Sequence, residues 1–430
     1  MSLEWNDVVL KDVLSEKGYI RGPFGSALKR AEMKSEGIPV YEQQNAIYDN
    51  RIFRYYIDEE KYQSLKRFTT YTDDLIISCS GTVGKVSIIK HDDPKGIISQ
   101  ALLTLRVNKD LILPEFLKYF FSSYEGYNSL VSRATGSVQV NISKRAVIEE
   151  IPLKLPPLDV QRKIVHYLSL IDKKIETNEK INKNLELYLF YIFDETFMNF
   201  EFNEFSNSQD KIPLSWNLGT FNDIIESLGS GDWGKDELTG NYTSEVYCIR
   251  GADIPDVKQG NKGKMPIRYI LSKNFQNKKL NENTIVLEIS GGSPTQSTGR
   301  TVFITEDFLN RFDKDLICTN FCKVIKPALN YEIFIYLYFN YLYDKDVMFA
   351  YENGTTGIKN FDIKSFINNF LIVIPSQEDV INFNKLVKDV FDILMHNGLE
   401  IEKLQQLRDT LLPKLMSGEI DVSKINCDLE

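Results

Sequence analysis

The stretch RATGSVQVNISKRAVIEEIPLKLPPLDVQRKIVHYL (133–168) decides the fold, because GTTGIKNFDIKSFINNFLIVIPSQEDVINFNKLV (354–387) repeats its order of features. Gly136 aligns with Gly357 and Ile142 with Ile363 at an offset of 221, and Pro156 aligns with Pro375 after a gap of two. Self-similarity at so long a period marks a duplicated architecture. The match extends upstream. The turn DLIISCSGTVGKVSII (74–89) has a looser counterpart in NTIVLEISGGSPTQSTGRTVFI (283–304), and GIISQALLTLRV (96–107) resembles DLICTNFCKVIK (315–326).

Each copy divides into a large segment and a helical tail. Apolar, β-branched runs at Leu75–Ser78, Val86–Ile89, Ala101–Val107, Thr284–Ile289 and Thr301–Ile304 predict strands. Gly-rich turns separate them, and short helices are predicted from Pro114 and Tyr331. After Pro156-Pro157 the pattern changes to heptads. Ile164, Leu168, Ile171, Ile175, Asn178, Asn182, Leu185, Leu189 and Ile192 alternate steps of four and three. Val380, Phe383, Val387, Val390, Leu394, Asn397, Ile401, Leu404, Arg408, Leu411 and Leu415 repeat that spacing, and Pro413 is expected to end the run.

A helix of about 35 to 40 residues spans roughly 55 to 60 Å, longer than a domain of its size. Its apolar seam needs a further partner, and the other tail supplies one. The fold expected is therefore mixed α/β and duplicated. It has large α/β domains at 1–156 and 206–375, helical regions at 157–205 and 376–430, and the two long helices pair as an antiparallel coiled coil with pseudo-two-fold symmetry. Asn178, Asn182, Asn397 and Arg408 are polar seam positions that set register at a cost in stability.

The whole chain of 430 residues is 43% hydrophobic, a globular composition. No run approaches the roughly 20 apolar residues of a membrane span, and MSLEWNDVVLKDV lacks the order of a signal peptide, so a cytoplasmic protein is expected. Cys79, Cys248, Cys318, Cys322 and Cys427 form no CxxC pair, and His91, His166 and His396 are scattered, which predicts free thiols and no structural metal. The net charge of −9 is local: residues 1–200 hold 27 basic and 27 acidic residues, whereas 376–430 hold 6 and 11. An acidic total therefore leaves room for a basic groove.

No catalytic pattern emerges. SGTVGKVS (80–87) lacks the four-residue spacing of a phosphate loop, and Pro255-Asp256 has no following acid-x-Lys within thirty residues. Pro156-Pro157 lacks the preceding Asn or Asp of an amino-methyltransferase motif, and no dinucleotide glycine fingerprint exists. What remains is a set of polar, glycine-punctuated loops suited to DNA, since Lys and Arg neutralise phosphates while Asn, Gln and Arg can bond base edges. The first copy offers Lys29, Arg30, Lys34, Gln43, Gln44, Asn45, Arg51, Thr82 and Lys85. The second offers Arg250, Lys262, Lys264, Arg268, Gln296, Arg300 and Lys359.

The doubled tract, the GTVGK loop after a strand and the ending LRDTLLPKLMSGEI (407–420) together resemble the specificity subunit of type I restriction–modification systems over nearly the whole chain. The resemblance implies a non-catalytic subunit whose two domains each read one half of a split site in double-stranded DNA. Paired helices fix the gap between the halves. It implies as partners two methyltransferase subunits and restriction/translocase subunits, which would bring S-adenosylmethionine, ATP and magnesium. The second copy departs from the pattern: IPSQEDV lacks the paired prolines, and SGGSPTQSTGR is longer than SGTVGK. A scaffold that holds proteins on the same rod is the alternative reading.

Overall fold

The computed structural model describes residues 5–133, 140–199, 212–291, 293, 296–354, 358–423 and 425. Gly136, Gly357, Cys427 and the expected junction at 205/206 lie outside the described residues. The chain divides into two units, one of residues 1–173 with 405–430 and one of residues 174–404.

In the first unit an antiparallel sheet has the order Leu14–Arg21, Leu102–Val107, Leu75–Ser78, Val86–Ile88. Ile38–Tyr41 pairs antiparallel with Tyr56–Ile57 and parallel with Ile97–Ile98, and Asn6–Val9 pairs with Pro152–Leu155. The apolar run at Leu75–Ser78 is buried on both faces, which explains its unbroken hydrophobicity. Pro114 opens the helix Pro114–Ser122, where its fixed φ and missing N–H cost nothing.

The second unit repeats the scheme. Its antiparallel sheet has the order Ile225–Ser230, Cys322–Pro327, Thr284–Glu288, Thr301–Ile304. Tyr242–Ile249 pairs antiparallel with Ile267–Leu271 and parallel with Leu316–Cys318, and Asn217–Thr220 pairs with Leu371–Ile374. Strand order and sense agree in these sheets. The register also equates the copies residue by residue: Ser78 stands opposite Leu102 as Glu288 stands opposite Cys322. This moves the alignment of 96–107 one residue along, onto 316–327. The two stretches share few residue types position by position, so sequence similarity does not choose between neighbouring registers. A shared close approach supports the equivalence: a Cβ at Gly22 would lie 2.0 Å from the Ser99 carbonyl oxygen, and one at Gly231 would lie 2.0 Å from that of Thr319.

The heptads form one helix of 36 residues, Leu158–Phe193, and one of 40, Gln377–Met416. Pro413 does not end the second, which runs on to Met416. The proline gives up the bond its N–H would make to the Asp409 carbonyl, and the burial of Leu412, Leu415 and Met416 offsets that loss and keeps the last turn helical.

Within the first unit Val160, Ile164 and Leu168 share a core with Leu412 and Leu415, with Leu411 packed against it, while Ile171 is half-buried. Arg408 donates to Asp172 at 3.1 Å, so this seam position holds an ion pair. Within the second unit the helices run antiparallel: Asn178 donates to Glu400 at 2.7 Å, Asn397 to Asn182 at 2.8 Å, and the Phe193 and Phe383 rings lie 6.3 Å apart. Ile175, Leu189, Val387, Leu394 and Ile401 are buried there, and Leu185 and Leu404 are half-buried. Phe193, Phe197, Phe334, Tyr338 and Phe383 form a connected ring cluster in that unit's core.

Candidate nucleic-acid interface

The polar loops project from equivalent places in the two units, and each is built on a buried cap. In the first unit Asn45 is fully buried in the short helix Gln43–Ile47. Its Oδ1 accepts from the Glu42 N–H at 2.7 Å, and its Nδ2 donates to the Asn50 and Ile52 carbonyls at 3.2 and 3.1 Å. Asn45 thus closes the 42–52 loop and has no edge left for a base. Gln44 donates to the same Ile52 carbonyl at 3.0 Å. Gln43 accepts from the Ser80 N–H at 2.8 Å, tying this helix to the SGTVGK turn.

In that turn the Ser78 hydroxyl donates to the Thr82 carbonyl at 2.6 Å and accepts from the Lys85 N–H at 3.0 Å. Gly81 and Gly84 have φ of +63° and +80°, a region that favours glycine. The side chains of Thr82 and Lys85 are left exposed on a braced turn. Lys29 is exposed, Arg30 lies on Tyr55 and donates to its hydroxyl at 2.9 Å, and Lys34 pairs with Asp58 at 2.7 Å. Arg51 turns inward, donating to Asp93 at 2.6 Å and to the Ile88 carbonyl at 2.8 Å.

The second unit uses the same frame with different chemistry. Asp253 occupies the place of Asn45, accepting from the Arg250 N–H at 3.0 Å. Its carboxylate also holds the Arg250 guanidinium at 2.9 and 3.0 Å and the Lys264 N–H at 3.2 Å. Burial opposes ionisation of Asp253, but the hydrogen bonds from Arg250 outweigh it and hold the carboxyl below the ordinary range. Glu288 stands at the place of Ser78 and Arg300 at that of Lys85, and the two pair at 2.7 and 2.6 Å. Arg268 is buried, stacked 4.0 Å from the Trp233 ring centroid and bonded to Asp236. Lys359 pairs with Glu352 at 2.8 Å, and Lys262 lies 3.6 Å from Glu402 and above the Phe312 ring. Lys264 and Gln296 are exposed.

The loops therefore combine outward cations with inward ones that act as braces. Arg21, Arg67 and Lys144 were absent from the sequence-derived set. They come together beside Phe24 only in the folded first unit, and no local pattern links them.

Among the described residues no group of three or more His, Cys, Asp or Glu is placed to hold a metal ion. Cys79, Cys248, Cys318 and Cys322 are buried, and burial pushes the Cys79 thiol up to about 11 and those of Cys248 and Cys322 to about 12. Such thiols stay protonated and inert. No helix among these residues is long and apolar enough to cross a membrane.

Residues 3–187 match the family model described as type I restriction modification DNA specificity domain. The chain is 27% identical over 334 residues to the type I restriction enzyme MjaIX specificity subunit of Methanocaldococcus jannaschii, covering 74% of this chain and 72% of that one. It is 20% identical over 421 residues to the EcoBI specificity subunit of Escherichia coli, covering 92% and 83% respectively. The crystal structure of the type I restriction-modification system S subunit from M. genitalium shares the fold at a TM-score of 0.52, with 15% identity and 96% of each chain covered.

Proposed function

That the chain belongs with the type I specificity subunits is the premise from which we propose its function: it is the non-catalytic subunit that selects the DNA sequence acted on by a type I restriction–modification complex. One observation carries this reading. The two units have the same strand order in their main sheets and the same capped loop frame, yet place different side chains on it, Asn45 against Asp253 and Ser78 with Lys85 against Glu288 with Arg300. A shared frame with divergent loops is what two reading heads for unlike half-sites require.

In this reading each unit reads one half of a bipartite site in double-stranded DNA, with outward groups such as Lys29, Thr82, Lys85, Lys264 and Gln296 among the contacts. The long helices fix the gap between halves and dock two methyltransferase subunits. S-adenosylmethionine, ATP and magnesium belong to those subunits and to the restriction/translocase subunits, in the cytoplasm. The acidic total of this chain is compatible with the role, because partners can supply part of the phosphate attraction.

The test is methylome sequencing of cells expressing the chain with its methyltransferase partner, beside cells lacking the chain. A split, asymmetric motif methylated only in its presence is the expected result. Methylation independent of the chain, with partner binding intact, would favour a protein scaffold.

A further inference from the structure

In the first unit a cleft of about 450 Å³ opens among Arg21, Phe24, Arg67, Ser143, Lys144 and Arg145, and among the described residues no carboxylate lines it. Arg145 is occupied, donating to Glu149 at 2.8 Å. Arg21, Arg67 and Lys144 have no carboxylate partner among the described residues. The Nη1 of Arg21 is buried and has no hydrogen-bond partner. A fold that gathers three cations without neutralising them leaves a strong local field for an anion.

The cleft has an aromatic rim. Gly25, at φ +62°, turns the chain beside Phe24, whose ring is 63% exposed with the Arg21 guanidinium 5.8 Å from its centroid. Guanidinium forks match the paired oxygens of a phosphate, and an exposed ring beside them suits the face of a sugar or base. A carboxylate peptide would use the cations but leave the ring without a role.

The second unit has no counterpart of Arg21 at its equivalent strand end. The register puts Ser230 where the first unit has Arg21, since Arg21 faces Leu103 as Ser230 faces Lys323. Trp233 takes the place of Phe24 but covers Arg268, and Lys278 donates to the Ser230 carbonyl at 2.6 Å.

From this we infer that the cleft of the first unit holds a phosphodiester of bound DNA through Arg21, Arg67 and Lys144, and that this anchor belongs to the first unit alone. The inference rests on the DNA-selecting function proposed above. It is tested in the assembled complex with the methyltransferase partner, by equilibrium binding across a salt series to a duplex carrying the methylated motif and to a scrambled duplex. For Arg67→Ala/Lys144→Ala the slope of log affinity against log salt falls by about one, since the single phosphate contact contributes roughly 0.9. The proportional loss is the same on both duplexes, and Arg67→Lys/Lys144→Arg keeps the wild-type slope.

An unchanged slope would overturn the inference. So would a loss of discrimination between duplexes at constant slope, which would make the cleft a reader of bases. Inorganic phosphate that raises the melting temperature of the wild type but not of the variant, with DNA binding unaltered, would mark a free-anion site and also overturn it. Failure of the wild type to prefer its motif would count against the proposed function instead, because the slopes on either duplex still report on the cleft.

Discussion

Asn397 donates to the Oδ1 of Asn182 at 2.8 Å, with both side chains buried between the long helices of the second unit. Asn182 donates in turn to the carbonyls of Leu394, at 3.1 Å, and Gln259, at 2.9 Å. The polar seam thus fastens the 259–261 loop to the helix pair as well as joining the helices. Asn397→Ala leaves the Asn182 oxygen unsatisfied and should destabilise the protein by about 1–3 kcal/mol, read from urea unfolding. Asn182→Leu should in addition speed hydrogen exchange in the 258–262 backbone. An unfolding midpoint unmoved by Asn397→Ala would show that the pair contributes nothing net.

The same contact makes a glycine necessary. A Cβ at Gly398 would lie 1.8 Å from the Gly260 carbonyl oxygen, which is backbone and cannot rotate away. Alanine is the better helix former by about 1 kcal/mol, so Gly398→Ala would stabilise an open helix. Here the loop must move, and a net loss of about 1–3 kcal/mol is expected by calorimetry. A gain in stability would mean that the loop does not sit this close.

Much of this architecture was legible in the sequence and some of it was not, for physical reasons. The apolar runs at Leu75–Ser78 and Thr284–Glu288 and the heptads report burial directly, so the strands and long helices followed from local pattern. Pro413 misled because the burial of Leu412, Leu415 and Met416, which outweighs its local penalty, is set by the folded core and not by local pattern. The loop cations were harder. Arg51, Arg268 and Arg300 find Asp93, Asp236 and Glu288 across 42, 32 and 12 residues, and no local spacing announces which guanidinium will be neutralised. The equivalence of Asn45 and Asp253 was hidden for a related reason: both cap a turn by accepting a backbone N–H, a role that Asn and Asp share while their charge differs.

That difference in charge predicts a pH effect confined to the second unit. Asp253 titrates below its ordinary value of 3.8 because the Arg250 side chain and two backbone N–H groups outweigh the burial that opposes ionisation. A carboxyl depressed in the folded state stabilises fully above its unfolded value and loses that contribution as pH falls through the folded value. Asp253→Asn keeps the turn cap, as Asn45 does, but removes the charge. Its melting temperature should fall below wild type above about pH 5, by roughly 2–4 °C per kcal/mol lost, and the two should converge as pH falls below the ordinary carboxyl value of 3.8. A gap that stays constant with pH would show that charge on Asp253 is not what holds Arg250.

The separation of the cores predicts that recognition is modular. The cluster around Leu75, Phe116 and Leu153 shares no residue with the one around Phe193, Phe334 and Phe366. Exchanging residues 1–156 for those of a related subunit should therefore change one half of the methylated motif and leave the other half and the gap intact. There is one physical condition. The incoming segment must present an apolar surface to Val160, Ile164, Leu168, Leu412 and Leu415, which complete the first core from the helices. A donor that places a polar side chain there should lower stability without altering the second half of the motif. Methylome sequencing separates these outcomes from a third, a change in both halves, which would contradict independent reading heads.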